Sequence, residues 1–109
     1  MQTKRYSIYL VNLDPTVSSE IQKTRPVIVV SPNAMNQHLE TVVACPLTTQ
    51  LHPHWRSRVA VNCNSKKSEI AVDQIRCLSK KRFIKKLDEI NADKAEELRA
   101  VISKMYAES

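Results

Sequence analysis

The residues with the clearest chemical potential lie in a polar loop that leads into an apolar strand. This loop contains Glu20, Lys23, Thr24 and Arg25, and Pro26 begins a run of valine and isoleucine. A strand start is rigid and holds a charged side chain firmly. Arginine keeps its charge at physiological pH and binds phosphate through two parallel hydrogen bonds. From the residues alone, Arg25 is either a phosphate ligand or a surface arginine paired with Glu20, and the spacing favours the second interpretation.

Two further candidates follow predicted strands. Thr48 lies just past an apolar segment, where its hydroxyl either caps a turn or contacts a ligand. Asp73 and Gln74 interrupt two short apolar segments. An aspartate at such a place is either a base or, more commonly, a turn former.

The predicted loop 48–57 is rich in rings and positive charge. His52 and His54 flank a proline without a nearby third ligand, so we expect no metal site there and interpret His54 as a phosphate neighbour. Trp55 beside Arg56 and Arg58 offers a face on which a base can stack, although a lone tryptophan is more often part of a core.

Composition narrows the class of protein. Seventeen Lys and Arg against eleven Asp and Glu give a net charge of +6, and the pI is near 9.4. Such a balance suits either a nucleic-acid partner or a merely soluble surface. No apolar run is long enough to cross a membrane and no signal-peptide pattern is present, so we expect a cytoplasmic protein. The odd number of cysteines and the lack of a Cys-x-x-Cys pair predict buried free thiols rather than disulfides or a metal site.

Hydrophobic patterning predicts short strands followed by one helix. Strands are expected at 6–13, 26–30, 41–45, 58–63, 69–72 and 75–78, with a short turn or helix near 34–37 and a strand end at Pro46. Asn91 is the expected N-cap of a helix whose apolar stripe docks on the core through Ala95, Leu98, Ile102 and Met105.

There is no glycine, so left-handed backbone positions should fall to Asn and Asp. We expect one domain, residues 1–109, built as a small, partly open antiparallel barrel with a C-terminal helix.

Four segments in a fixed order resemble those of MazF/PemK-type toxins. Residues 8–16 are similar to the opening strand and its Asp-Pro-Thr corner, and residues 19–31 to the most diagnostic motif of the family. Residues 46–50 (Pro-Leu-Thr-Thr-Gln) and 72–76 (Val-Asp-Gln-Ile-Arg) resemble the next two blocks. The order runs across nearly the whole chain.

This resemblance implies a mainly β fold with some α structure, an SH3-like (CcdB/MazF-like) barrel carrying a C-terminal helix. It implies a homodimer with single-stranded RNA lying across the interface, and a cognate antitoxin whose acidic tail occupies the RNA groove. It also implies an endoribonuclease that uses neither metal nor cofactor: the ribose 2′-hydroxyl attacks the adjacent phosphorus and leaves a 2′,3′-cyclic phosphate and a 5′-hydroxyl.

The resemblance also suggests roles for individual residues. Arg25 matches the catalytic arginine, Thr48 the active-site Ser/Thr, and Glu20 and Asp73 compete as the base. Some members carry histidine where this chain has Ser19 and arginine where it has Ala71, which favours Glu20 over Asp73. Gln74 and Arg76 are expected to shape the groove or the dimer. The residues expected to contact RNA are Ser19, Lys23, Thr24, Thr49, Gln50, His54, Trp55, Arg56, Gln74 and Arg76.

Two other functions are compatible with this fold. A gyrase-binding toxin of the same architecture relies on a C-terminal Trp-Gly-Ile tail, whereas this chain ends in Tyr-Ala-Glu-Ser. A non-catalytic basic RNA-binding module would not need Glu20, Arg25 and Thr48 together.

Overall fold

A computed structural model describes residues 1–13 and 23–107. The strands are β1 (Ser7–Asn12), β2 (Thr24–Val29), β3 (Thr41–Thr48), β4 (Arg58–Cys63), β5 (Lys66–Ala71), β6 (Arg76–Ser79) and β7 (Phe83–Glu89). The helices are α1 (Asn33–His38) and α2 (Ala92–Tyr106), and 3-10 turns occupy Val72–Gln74 and Lys80–Arg82. This is the predicted class of fold: a strongly curved antiparallel sheet with a C-terminal helix.

Strand β3 organises the sheet because it changes partner along its length. One edge pairs with β2. The other edge pairs with β6 as far as Ala44 and with β5 from Leu47 onwards. The strand order is therefore β4-β5-β3-β2-β1-β7, with β6 attached beside β3.

The predicted end of the third strand at Pro46 is wrong. β3 continues through Pro46 to Thr48, and Pro46 pairs with Val27 of β2. Proline lacks an N–H group and is normally excluded from the middle of a sheet. Here Pro46 lies between the β6-paired and β5-paired parts of β3, where neither of these partners is registered opposite it.

Strands β1 and β2 are covered on both faces, as their apolar runs indicate. Ile8 and Ile28 belong to one buried cluster, which also contains Leu98 of α2. Tyr9 and Val27, one residue away in each strand, belong to a second cluster. A strand covered on both sides has no solvated face and therefore shows no polar alternation.

Helix α2 docks as predicted. The Asn91 side chain accepts a hydrogen bond from the Lys94 N–H at 2.9 Å and caps the helix. Ala95 and Leu98 are buried, and Val101, Ile102 and Met105 pack against the first cluster.

Two features of the backbone differ from expectation. β7 was not predicted, because its Lys85 and Lys86 hid a strand inside a basic segment. Among the described residues, left-handed φ angles occur at Tyr6 (68°), Asn64 (50°) and Ser65 (66°), and of these three positions only Asn64 agrees with the expectation that Asn and Asp would take them. Asn64 and Ser65 form the turn between β4 and β5.

Truncating Leu98 should be strongly destabilising. Its side chain is fully buried between α2 and the sheet, so Leu98→Ala removes apolar contacts and leaves a cavity. We expect the free energy of unfolding in denaturant to fall by about 2–5 kcal/mol at a fixed protein concentration. Glu96→Ala, on the exposed side of the same helix, is the matched control and should change it by less than about 0.5 kcal/mol. Equal effects of both substitutions would contradict this docking of α2.

Candidate functional site

Arg25 and Thr48 lie near the ends of the paired segments of β2 and β3. The last registered pair at this end is Val27 with Pro46. Arg25 and Thr48 each stand two residues beyond that pair, and both line the same two grooves. The two residues that sequence analysis singled out in separate segments are thus brought to one place by these neighbouring strands.

Two adjoining grooves share this pair. The first, which we call the arginine groove, has a volume of about 470 Å³ and is lined by Arg25, Thr48, Gln50, Arg58, Gln74 and Arg76, together with Leu13, Val27, Pro46 and Leu47. The second, the lysine groove, has a volume of about 750 Å³ and is lined by Lys23, Thr24, Arg25, Pro26, Leu47, Thr48, Thr49, Gln50, Cys63, Asn64, Lys66 and Ser68. Within the described part of the chain no carboxylate lines either groove, so both present a positive surface.

The Thr48 hydroxyl is oriented by its own loop. Its Oγ1 accepts a hydrogen bond from the Gln50 N–H at 3.1 Å. A hydroxyl group has one proton to donate as well as lone pairs that accept. Because a lone pair is occupied by Gln50, the proton is left to donate to a group in the groove.

Arg25 is exposed at the start of β2. Among residues 1–13 and 23–107 it takes part in no ion pair. Glu20 and Ser19 lie outside the described residues, as does the Asp14-Pro15-Thr16 corner. The predicted alternative, a pairing of Arg25 with Glu20, therefore stays a prediction.

Asp73 is held outside the arginine groove. Its Oδ1 accepts a hydrogen bond from Arg58 Nε at 3.3 Å, and Asp73 is not among the residues that line the groove. Gln74 and Arg76, on either side of Ile75, do line it. In the motif of residues 72–76, the Gln74 and Arg76 side chains thus line the groove, whereas the Asp73 carboxylate is hydrogen-bonded to Arg58.

The ring-bearing residues of the loop, His52, His54 and Trp55, do not line the grooves, whereas Thr48, Thr49 and Gln50 at its start do. His52 and Trp55 stack with ring centroids 3.9 Å apart and planes inclined by 7°. The Arg58 guanidinium carbon lies 4.7 Å from the centroid of the Trp55 ring. Trp55 remains 49% exposed, so it is not a core residue, and His54 and Arg56 are exposed next to it.

Sequence analysis placed Arg58 beside Trp55 but missed Glu69 and the ion pair that joins Arg58 to Glu69. Their side chains are only 6% and 4% exposed, and they form an ion pair at 3.2 Å. Glu69 stands in the apolar segment Ser-Glu-Ile-Ala-Val. A charged residue inside such a strand is seldom buried without a partner, and this was the available signal.

Within the described residues, no group of three or more His, Cys, Asp or Glu could hold a metal ion. No helix in that part of the chain is both long and apolar enough to span a bilayer.

Comparison with known proteins identifies the class. The profile of the family described as PemK-like, MazF-like toxin of type II toxin–antitoxin systems matches residues 4–106. This chain therefore belongs to the PemK-like, MazF-like toxin family. The resemblance found in the motifs is thereby confirmed.

Individual relatives agree with this assignment. The chain is 46% identical over 46 residues to the endoribonuclease PemK of Escherichia coli, a match that covers 42% of this chain and 35% of that protein. The chain thus spans about a third of the length of this curated relative. The MazE–MazF structure (form III) from Deinococcus radiodurans matches with a TM-score of 0.83 and 22% identity over 100% of both chains. A mycobacterial endoribonuclease in complex with its cognate antitoxin matches with a TM-score of 0.78 and 24% identity, covering 93% of this chain and 91% of that one. These structures confirm the predicted fold.

The thiols should differ in reactivity and in their effect on stability. Cys45 and Cys63 are buried as predicted, whereas the prediction is wrong for Cys77, which is exposed. Burial, assisted by the negative charge of Asp73, raises the pKa of the Cys45 thiol from 9.0 to about 12. An aromatic disulfide reagent should therefore label Cys77 rapidly in the native protein and Cys45 only on unfolding.

A raised native pKa also makes stability depend on pH. Below pH 9.0 the Cys45 thiol is protonated in both the folded and the unfolded chain. Above pH 9.0 the unfolded chain loses the thiol proton first, so the free energy of unfolding falls as the pH rises towards 12. Between about pH 8 and about pH 10, the free energy of unfolding should fall by about 1 kcal/mol more in the wild type than in Cys45→Ala. Parallel pH dependence in the two proteins would contradict this environment for Cys45.

Proposed function

We propose that this toxin is an endoribonuclease that cleaves single-stranded RNA at a short sequence without a metal. The observation that carries the proposal is that Arg25 and Thr48 line the same positively charged groove. An RNA backbone is a chain of negative charges, and its binding to such a groove releases counterions.

The reaction is an internal transfer at phosphorus. The ribose 2′-hydroxyl loses its proton to a base and attacks the adjacent phosphorus, the bond to the 5′-oxygen breaks, and that oxygen takes up a proton. The products are a 2′,3′-cyclic phosphate and a free 5′-hydroxyl. Arg25 binds the phosphate and stabilises the extra negative charge of the transition state. Thr48 donates its free hydroxyl proton to a phosphate oxygen.

Glu20 is the proposed base. The alternative, Asp73, already accepts a hydrogen bond from Arg58 and lies outside the groove lining. An acid committed in this way is poorly placed to reach a 2′-hydroxyl held between Arg25 and Thr48. This supports the preference for Glu20 that the Ala71 position suggested.

The remaining contacts follow from the groove linings. Lys23, Thr24, Thr49 and Gln50 in the lysine groove, and Gln74 and Arg76 in the arginine groove, are proposed to bind the RNA on the two sides of the scissile phosphate. Trp55, with His54 and Arg56, is proposed to stack on a base beyond the grooves. Ser19 is also proposed to contact the RNA.

The proposed partners are a second copy of this chain and an antitoxin protein. The mycobacterial endoribonuclease of similar fold is described in complex with its cognate antitoxin. The lysine groove is lined by Lys23, Arg25 and Lys66, and no carboxylate among the described residues lines it. An acidic, disordered antitoxin tail is proposed to bind these three cations. Such a tail competes with RNA for the same positive charge.

Cleavage should proceed in EDTA. The purified protein is expected to cut an unstructured RNA in the presence of the chelator and to leave cyclic-phosphate ends, because the proposed nucleophile belongs to the substrate. The same oligonucleotide with a single 2′-deoxy sugar at the mapped site is the control and should stay intact. If the RNA is cleaved only after magnesium is restored, the metal-free reaction is overturned. If the RNA stays intact and the protein inhibits DNA gyrase, the gyrase-binding alternative is favoured.

Removing the guanidinium of Arg25 should abolish turnover without unfolding the protein. We expect Arg25→Ala to lower kcat by at least about a hundredfold, the usual effect of losing one stabilising donor. Arg99→Ala removes the same charge from α2, where Arg99 contacts Tyr6, and should stay within about threefold of the wild type. Gel filtration and thermal unfolding check that both variants keep the wild-type assembly. Turnover at the wild-type rate in Arg25→Ala would exclude the proposed role.

A further inference from the structure

Arg58 lines the arginine groove although its side chain is only 6% exposed, and it has no role in the reaction proposed above. We propose that Arg58 is a positioning residue which, together with Glu69, holds the start of the β3–β4 loop so that the Thr48 hydroxyl presents its proton to the groove. This inference rests on the proposed function, because it concerns the proton that Thr48 donates.

One ion pair fixes two points of the loop. Arg58 Nη1 donates to Glu69 Oε1 at 3.2 Å and also to the Gln50 carbonyl oxygen at 3.2 Å. The same Glu69 oxygen accepts a hydrogen bond from the His52 N–H at 2.8 Å. Residues 50 and 52 are therefore both tied to a single buried pair of charges.

The pair is anchored in the sheet next to Thr48. Glu69 is registered opposite Thr48 in the pairing of β5 with β3. Arg58 is the first residue of β4 and lies opposite Ala71 of β5. Both charged residues stand on strands, which hold a side chain more precisely than a loop can.

The connection to the hydroxyl runs through Gln50. Its carbonyl oxygen is held by Arg58, and its N–H donates to Thr48 Oγ1 at 3.1 Å. The two bonds belong to the peptide groups on either side of one Cα atom. Holding one of them therefore restricts the other, and with it the direction in which the Thr48 proton points.

The remaining contacts of Arg58 hold its guanidinium in one orientation. Its Nε donates to Asp73 at 3.3 Å, and its plane lies over the Trp55 ring. This fork of donors is specific to arginine, since a lysine ammonium is a single point with a different geometry. Arg58 thus reaches Gln50, Glu69 and Asp73 at once.

Stability alone is a weak reason to retain this arrangement. Removing two charges from water is costly, and a well-packed apolar pair of similar volume is often as stable or more so. A buried ion pair that also fixes the loop next to Thr48 is better explained by the geometry that it imposes.

The decisive variant removes both charges together. Arg58→Met alone leaves Glu69 buried without its partner and is expected to be unstable. In Arg58→Met/Glu69→Leu no buried charge is left unpaired, because Asp73, the other carboxylate partner of Arg58, is 32% exposed to solvent, and the thermal midpoint should lie close to that of the wild type. If Arg58 positions Thr48, this folded double variant should still show a kcat at least about tenfold lower, with KM within about threefold, since small misplacements at a reacting centre lower the rate.

Three further measurements sharpen the test. Arg58→Lys keeps a positive charge for Glu69 but lacks the fork, so kcat should fall while the protein stays folded. Arg99→Met, an equal change on α2, is the matched control and should leave kcat unchanged. Amide hydrogen exchange of His52 and Gln50 should accelerate at least about tenfold in the double variant, while that of Ile8 in β1 stays as in the wild type.

The outcomes separate this inference from the proposed function. Wild-type kcat in the folded double variant, or in Arg58→Lys, would show that Arg58 is only structural and would overturn the inference. Unchanged exchange at His52 and Gln50 would do the same even without any substrate. A wild-type protein that leaves RNA intact while these amides respond would instead overturn the ribonuclease and leave the loop-holding contacts established.

Discussion

The change of partner along β3 is the constraint on which the site depends. One edge of β3 pairs with β6 as far as Ala44 and with β5 from Leu47 onwards. The sheet divides at this point, and the end of β3 is free to open into a groove. On the opposite edge β2 is registered with β3 as far as Val27 and Pro46, and Arg25 and Thr48, beyond this last pair, line the same grooves. Pro46, which has no N–H to donate, fits the one place where the strand is between partners.

Around this pair the molecule separates its charges by environment. The groove carries cations without opposing carboxylates among the described residues. The carboxylates of Glu69 and Asp73 are drawn to Arg58 instead. A family fold supplies the barrel, whereas the hydrogen bonds of this chain tie Glu69 and Asp73 to Arg58. Shared architecture by itself therefore does not specify the proton transfers.

Much of the fold was predictable because its signals are local. The bounds of β4 and the N-cap of α2 follow from alternation and from one asparagine. β7 was missed because lysines on an outer strand resemble those of a solvated loop. The predicted third strand ended too early because a proline ends a strand only where a neighbouring strand needs its N–H group. Arg25 and Thr48 were found through their motifs, but that they line the same grooves depends on the fold. The ion pairs of Arg58 were not predicted because its partners lie in separate segments, which no local pattern records.

The lack of glycine has a consequence for the unfolded chain. A residue with a side chain samples fewer backbone conformations than glycine, so every ordered position loses less entropy on folding, by about 0.4–1 kcal/mol relative to a glycine. Tyr6, Asn64 and Ser65 oppose this, since each holds a left-handed conformation that costs about 1–2 kcal/mol for a residue with a Cβ atom. Among residues 1–13 and 23–107 the left-handed positions are therefore confined to the turn between β4 and β5 and to the residue before β1. The lack of glycine restricts the denatured ensemble of the whole chain.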